Sequence, residues 1–214
     1  MCGIAGIVDT VNAPQKPLLE KMCAVMGHRG PDGEGYFMGG PATLGHRRLS
    51  IIDIEGGAQP LANEDSTLWI TFNGEIYNFK DVREELVKKG HRFSTKSDTE
   101  TIIHAYEEWG EKCLERFRGM FAFAIWDVRK KELFIARDRL GKKPLYYHHN
   151  GSKFVFASEL KAILQDRSVN RTPDPKAIAD YLTYHYVPFP GTIFKDIHKL
   201  PPGCFMRVTL VNGG

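Results

Sequence analysis

Phe121-Ala122-Phe123-Ala124-Ile125-Trp126 is a nearly unbroken apolar run, followed after a polar turn at residues 127–131 by Leu133-Phe134-Ile135-Ala136. Two strands of this composition form a hairpin that needs burial on both faces, because neither alternates apolar with polar positions. A hairpin cannot cover itself. The economical solution is a core of two sheets with helices over their outer faces. Residues 145–148 and 153–157 repeat the strand–turn–strand rhythm around Asn150-Gly151, and the 214 residues suffice to bury such a core. No internal repeat or low-complexity segment interrupts the pattern.

Residues 2–8 are short, apolar and rich in Ile, Gly and Val, which predicts a buried strand that anchors the chain start. Leu18, Leu19, Met22, Val25 and Met26 recur at helical spacing before Gly27. Gly30, Pro31 and Gly33 then prevent continuation. Tyr36-Phe37, Thr43-Leu44 and residues 68–72 are further strand candidates. Asn78 with Asp81 reads as the capped start of a helix carrying Val82, Leu86 and Val87 and ending at Gly90. Ser97 with Glu100 starts another, carrying Ile102, Ile103, Tyr106 and Trp109 up to Gly110, with Leu114 and Phe117 as a short continuation. Asp174-Pro175 opens a later helix whose apolar face is expected to be Ala177, Ile178, Tyr181 and Leu182. Phe205-Met206-Arg207-Val208 is a last strand. The core is expected over residues 2–165, an extension over 166–209 and the start of a linker over 210–214.

Lys plus Arg exceed Asp plus Glu by only 29 − 26 = +3, too little to argue for nucleic acid. Lys88-Lys89 and Arg129-Lys130-Lys131 read as solvated faces, whereas Lys142-Lys143 sits in an unusual loop. The cysteines at 2, 23, 113 and 204 form no C-x-x-C pair and suit a reducing compartment. No apolar stretch approaches membrane-spanning length and no secretion signal is visible, so the expected location is cytoplasmic.

Chemistry concentrates at the edges of the apolar segments. Once the initiator Met1 is removed, Cys2 carries a thiol and an α-amine on one residue, so that a nucleophile and its base can cooperate. Asn73 offers a side-chain NH₂ and Gly74 an unobstructed backbone N–H, two donors suited to a tetrahedral oxyanion; an Asn-Gly turn is the structural alternative. Arg47 or Arg48 could grip a carboxylate bidentately, or form a surface ion pair. Asp98 could hold an ammonium group, or only stabilise a helix start. Glu75 could accept from an ammonium or cap backbone. His28, His46, His104 and His149 lack metal-ligand spacing. No glycine-rich phosphate loop occurs.

Cys2-Gly3-Ile4-Ala5-Gly6, His28-Arg29-Gly30-Pro31-Asp32, Arg48-Leu49-Ser50-Ile51-Ile52-Asp53, Asn73-Gly74-Glu75-Ile76-Tyr77-Asn78, Ser97-Asp98-Thr99-Glu100 and Arg137-Asp138-Arg139-Leu140-Gly141-Lys142-Lys143-Pro144 together closely resemble the class II glutamine amidotransferase domain of glutamine-hydrolysing asparagine synthetases, within the N-terminal-nucleophile hydrolase group. The resemblance covers virtually the whole chain. It implies an α+β fold, a four-layer α/β/β/α sandwich of two antiparallel sheets flanked by helices. It further implies that Cys2 attacks the side-chain carboxamide of L-glutamine, with Asn73 and Gly74 stabilising the oxyanion and a γ-glutamyl thioester as intermediate. Arg48 is selected for the substrate carboxylate and Asp98 with Glu75 for its ammonium. Leu49, Ser50, Ile51 and Ile52 are the pocket wall. No cofactor or metal is implied for this reaction; ATP and Mg belong to a C-terminal synthetase domain that receives the ammonia and converts aspartate to asparagine. A homo-oligomer is compatible with the pattern. Other readings stay open at this point: a different carboxylate or glycan acceptor, a related hydrolase acting on another amide, or a catalytically silent regulatory module.

Overall fold

The computed structural model describes residues 1–14, 16–53 and 56–210. Its strands are β1 (Gly3–Asp9), β2 (Gly33–Gly39), β3 (Ala42–Arg48), β4 (Leu61–Ala62), β5 (Leu68–Ile76), β6 (Gly119–Asp127), β7 (Glu132–Arg137), β8 (Tyr146–His149), β9 (Lys153–Ala157), β10 (Ile197–Lys199) and β11 (Phe205–Thr209). Helices are α1 (Lys16–Ala24), α2 (Phe79–Lys88), α3 (Asp98–Trp109), α4 (Cys113–Arg116), α5 (Leu160–Ile163) and α6 (Pro175–Tyr184). A six-stranded sheet runs β10-β8-β9-β1-β3-β2 and a five-stranded sheet runs β11-β7-β6-β5-β4. Every strand pairing is antiparallel.

The period-two geometry of strands explains the layering. On β6, Ala122, Ala124 and Trp126 face the other sheet, where they meet Ile4, Val8, Leu44 and Phe156. The alternate β6 residues Phe121, Phe123 and Ile125 face the helix layer of α2, α3 and α4, with Val82, Leu86, Ile102 and Phe117. β1 divides the same way, with Ala5 and Ile7 turned toward Leu19, Met22 and Met26 of the α1 side and Ala162 and Ile163 of α5. The result is α/β/β/α, and it accounts for the apolar run of β6: both of its faces are interior. Two glycines set the spacing. A Cβ on Gly6 would stand 2.4 Å from the Phe156 ring, and one on Gly45 would stand 2.5 Å from Cys23 Sγ on α1. Thr71 of β5 donates its hydroxyl to the Gly45 carbonyl of β3 at 3.1 Å, a direct bond between the sheets.

The helix starts follow their caps with one exception. Ser97 accepts from Glu100 N at 3.3 Å, and Asp174 accepts from Lys176 N at 3.0 Å with Pro175 in the first turn. Asn78 does not cap α2 through its side chain. It donates instead to Arg116 O at 3.0 Å and accepts from Arg118 N at 2.9 Å, tying the helix start to the segment before β6. The expected apolar face of α6 also differs: Ala177 is buried, but Ile178, Tyr181 and Leu182 are exposed. Periodicity shows amphipathicity, not what covers it. β10 and α5, too short for a periodic signal, extend the six-stranded sheet and its helix layer. No helix among the described residues is long and apolar enough to cross a membrane. Beyond Leu210, the expected linker lies outside the described residues.

Candidate active site

Cys2 stands immediately before β1, and the β1–β3 register pairs Gly3 with Arg47, so that Arg48 and the residues after it leave β3 beside the chain start. Leu49 N lies 3.4 Å from Cys2 Sγ, and the sulfur lies 3.7 Å from Leu49 O. Arg29 fixes the other side, donating Nε to the Cys2 carbonyl at 2.9 Å while its Nη1 pairs with Glu159 at 3.0 Å. Gly30 permits this approach, since a Cβ there would lie 2.4 Å from the Arg47 carbonyl. Asp32 accepts from Ser50 N at 2.8 Å and holds the departing segment.

Asn73 and Gly74 lie inside β5, paired with Ala122 and Phe121, so the Asn-Gly pair is no turn. Asn73 is 1% exposed, and its Nδ2 has no hydrogen-bond partner among the described residues. A buried amide N–H without a partner costs roughly 1–3 kcal/mol, so an unfilled donor of this kind points to a ligand. Gly74 has no alternative: a Cβ would meet the Met120 carbonyl at 2.3 Å.

The two arginines divide cleanly. Arg47 is committed to the fold, donating Nε to Gly30 O at 3.2 Å and pairing with Glu34. Arg48 turns inward, where its Nη2 donates to Asp53 O at 2.6 Å and Gly57 leaves room for it, a Cβ there lying 2.7 Å away. Asp98 opens α3 with 4% exposure and accepts from Ile76 N at 3.0 Å. Burial pushes its carboxyl up to about 6, with the nearby Glu75 carboxylate adding to the rise against hydrogen bonds from Ile76, Thr99 and its own N–H. Two carboxylates facing one cavity, one of them resisting ionisation, match a cationic ligand group.

One cavity of about 170 Å³ gathers Cys2, Arg48, Leu49, Ile51, Ile52, Asn73, Gly74, Glu75 and Asp98. Ser50 does not line it. Residues that the sequence reading missed also contribute: Gln59, Met120 and Lys143. Gln59 accepts from Phe72 N at 2.6 Å and donates to Thr99 at 3.2 Å, closing one wall. Met120 arrives through its pairing with Glu75 across β5 and β6. Gln59 carries no local sequence signal, whereas Lys143 lies in the loop already marked as unusual, without a role assigned to it.

The histidines lie elsewhere. His46 is buried, and burial followed by Arg48 and Arg47 holds its ring down at about 3, hence neutral. His104 meets His91 and Glu107, whose potential ligand atoms lie within 4.8 Å. This proximity was not visible from spacing, because His91 follows α2 whereas His104 lies on α3. His104 donates to Glu107 at 2.6 Å; although burial opposes its charge, Glu100 and Glu107 push it up to about 9. The cluster is an ion-pair network binding α2 to α3, away from the cavity.

The sequence model of the glutamine amidotransferase domain family matches residues 1–212. Asparagine synthetase [glutamine-hydrolyzing] 1 of Bacillus subtilis is 42% identical over 207 residues, covering 95% of this chain and 33% of that protein. A putative asparagine synthetase [glutamine-hydrolyzing] 2 of Methanocaldococcus jannaschii is 38% identical over 221 residues, covering 94% of this chain and 42% of that one. The chain thus spans about a third of the length of the first of these relatives. A solved structure of glutamine phosphoribosylpyrophosphate amidotransferase from B. subtilis superimposes with a TM-score of 0.64 at 24% identity, over 76% of this chain and 43% of that one, a likeness of fold. With the α/β/β/α layering and the match along nearly its whole length, this chain belongs to the glutamine amidotransferase domain family.

Proposed function

We propose that the chain hydrolyses L-glutamine to L-glutamate and ammonia at Cys2, and that the ammonia serves an ATP-dependent asparagine synthetase domain. The observation that carries the reading is the unfilled Nδ2 of buried Asn73, in the same cavity as the Cys2 thiol. Met1 also lines that cavity and is more than half exposed. Its removal would place an α-amine directly on Cys2. In this structure the Met1 amine is held below the usual range, first by burial and then by Arg29 and Lys143, with Cys2 and Asp32 opposing. The Cys2 amine that replaces it would stand near the same Arg29 and Lys143 cations, which favour its neutral, proton-accepting form.

The amine takes the thiol proton, and the thiolate attacks the carboxamide carbon. The oxygen becomes negative between Asn73 Nδ2–H and the Gly74 N–H. Collapse breaks the C–N bond as the ammonium returns its proton to the leaving nitrogen, giving ammonia and a γ-glutamyl thioester on Cys2. Water, deprotonated by the same amine, adds to the thioester; expulsion of the thiolate, which regains that proton, yields glutamate. Arg48 takes the substrate α-carboxylate, Asp98 and Glu75 the α-ammonium, and Leu49, Ile51 and Ile52 the side of the cavity, with Ser50 held behind them by Asp32. Thiol and amine suffice chemically, so no cofactor is invoked; ATP and Mg belong with the synthetase domain. The names and lengths of the relatives support that partner domain. Free Cys2, Cys23, Cys113 and Cys204 support a cytoplasmic setting.

The test is an acid quench during glutamine turnover, followed by peptide mass mapping. A glutamyl adduct is expected on Cys2 of a chain lacking Met1; turnover with the adduct elsewhere, or with Met1 retained, would sink the mechanism.

Asp98 gives a pH signature. The ammonium of glutamine binds the ionised carboxylate, so KM should climb as pH falls through about 6. Asp98→Asn should raise KM roughly 10–100-fold, flatten that climb and change kcat less. The sign for stability is opposite. A carboxyl pKa raised above its unfolded value makes the ionised form costly to the folded chain, so the empty Asn variant should melt higher than the parent at pH 8. A KM that ignores both pH and the substitution would remove Asp98 from the site.

A further inference from the structure

The loop Arg137-Asp138-Arg139-Leu140-Gly141-Lys142-Lys143-Pro144 is held unusually firmly and ends in the active-site cavity. The buried Asp138 carboxylate accepts from Phe121 N at 3.2 Å, Leu140 N at 3.1 Å, Lys142 N at 2.9 Å and Lys143 N at 3.0 Å. From the other side Arg137 donates to Lys143 O at 2.7 Å, Gly141 O at 2.8 Å and Leu200 O at 2.6 Å. Gly141 makes the turn at φ +64, with its open side against Pro202 and the Arg137 guanidinium. The two lysines therefore part company. Lys142 is exposed, whereas Lys143 is 5% exposed and lines the cavity with Cys2 and Glu75.

A buried ammonium is costly unless a charge answers it. Among the described residues, no side-chain hydrogen bond or salt bridge engages Lys143 Nζ. Asp138 is already occupied by four backbone N–H groups. Burial lowers the lysine pKa, with Cys2 the first named group acting against that fall, then Asp138 and Glu75, while Arg29 adds to it. The other charges around the nucleophile come from separate elements. Arg29, after α1, is answered by Glu159; Asp32, before β2, is engaged by Ser50 N; Arg48, at the end of β3, donates to Asp53 O. Glu75 of β5 and Asp98 of α3 face the substrate end of the cavity. Of this set, Lys143 is the cation with no hydrogen-bonded or ion-paired partner for its Nζ among the described residues, and it shares its cavity with the Cys2 thiol.

We propose that Lys143 acts through Cys2, its ammonium favouring the thiolate and keeping the adjacent α-amine in its neutral, proton-accepting form. The firmly bonded loop is the device that carries the charge to that position. This rests on the glutamine-hydrolysing reading but can be tested apart from it. Cys2 of the Met1-free chain is alkylated with iodoacetamide across a pH series and read peptide by peptide, with the exposed Cys204 as internal reference. In Lys143→Met the apparent pKa of Cys2 alkylation is expected to rise by about one pH unit with Cys204 unchanged, and in Lys143→Arg to return toward the parent. Kinetically, kcat near pH 7 should fall about tenfold, with KM within about twofold. A folded Lys143→Met chain with the parental alkylation profile overturns the proposal, as does a loss confined to KM. Lys143→Gln serves the same comparison if the Met variant does not fold. If the parent releases no glutamate, the proposed function fails while the alkylation profile still decides the role of Lys143.

Discussion

A Cys2→Ala chain is expected to bind glutamine yet release no glutamate above background, a loss of at least about 10⁴-fold in kcat. Binding survives because the groups assigned to the amino-acid head, Arg48 and Asp98, come from β3 and α3 and do not depend on the sulfur. Alanine also preserves the backbone that Arg29 holds through the Cys2 carbonyl. Isothermal titration and glutamate release, measured on the same preparation, separate the two effects. Residual turnover near the parental rate would mean that another nucleophile does the chemistry. Loss of both binding and turnover in a folded variant would mean that Cys2 shapes the cavity rather than reacts in it.

Asn73→Ala is expected to lower kcat by about 10²–10³-fold, some 3–4 kcal/mol, while KM moves less than tenfold. The asymmetry follows from when the donor matters. A neutral carboxamide oxygen gains little from one more N–H, but a tetrahedral oxyanion in a water-poor cavity gains a great deal. The same substitution removes an unfilled buried donor, so the empty protein should lose little stability and could gain some. A variant that melts higher but turns over slowly would mark Asn73 as a residue placed for the reaction; a rise in KM alone would contradict the oxyanion role. Steady-state kinetics with a thermal melt distinguishes these outcomes.

Much of the architecture was legible because strands buried on both faces leave an unmistakable record. Phe121 to Trp126 had to be interior on each side, and only a second sheet plus helices can provide that. The caps at Ser97 and Asp174 were equally readable, since both are local. Ambiguity began where the answer was nonlocal. Asn73-Gly74 could be a turn until its pairing with Ala122 and Phe121 showed an uninterrupted strand. Arg47 and Arg48 were chemically equivalent until the carbonyl of Gly30 and the carboxylate of Glu34 claimed the first. Asn78 looked like a cap because a cap is local, and instead it reaches residues 116 and 118. Gln59 had no signal of its own, and the loop of Lys143 was marked as unusual without any hint of where it leads, since each enters the cavity by a contact distant along the chain.

The bond from Thr71 to the Gly45 carbonyl joins sheets that contribute different halves of the apparatus. The sulfur is tethered to one slab and the two N–H groups to the other, so the gap between reacting atom and charge stabiliser is fixed by the thickness of the interior between them. Ala122, Ala124 and Gly6 are the spacers in that gap. A methyl group added there, far from any solvent-facing rim, would act like a shim beneath a calliper and detune the chemistry without altering any group that meets the substrate.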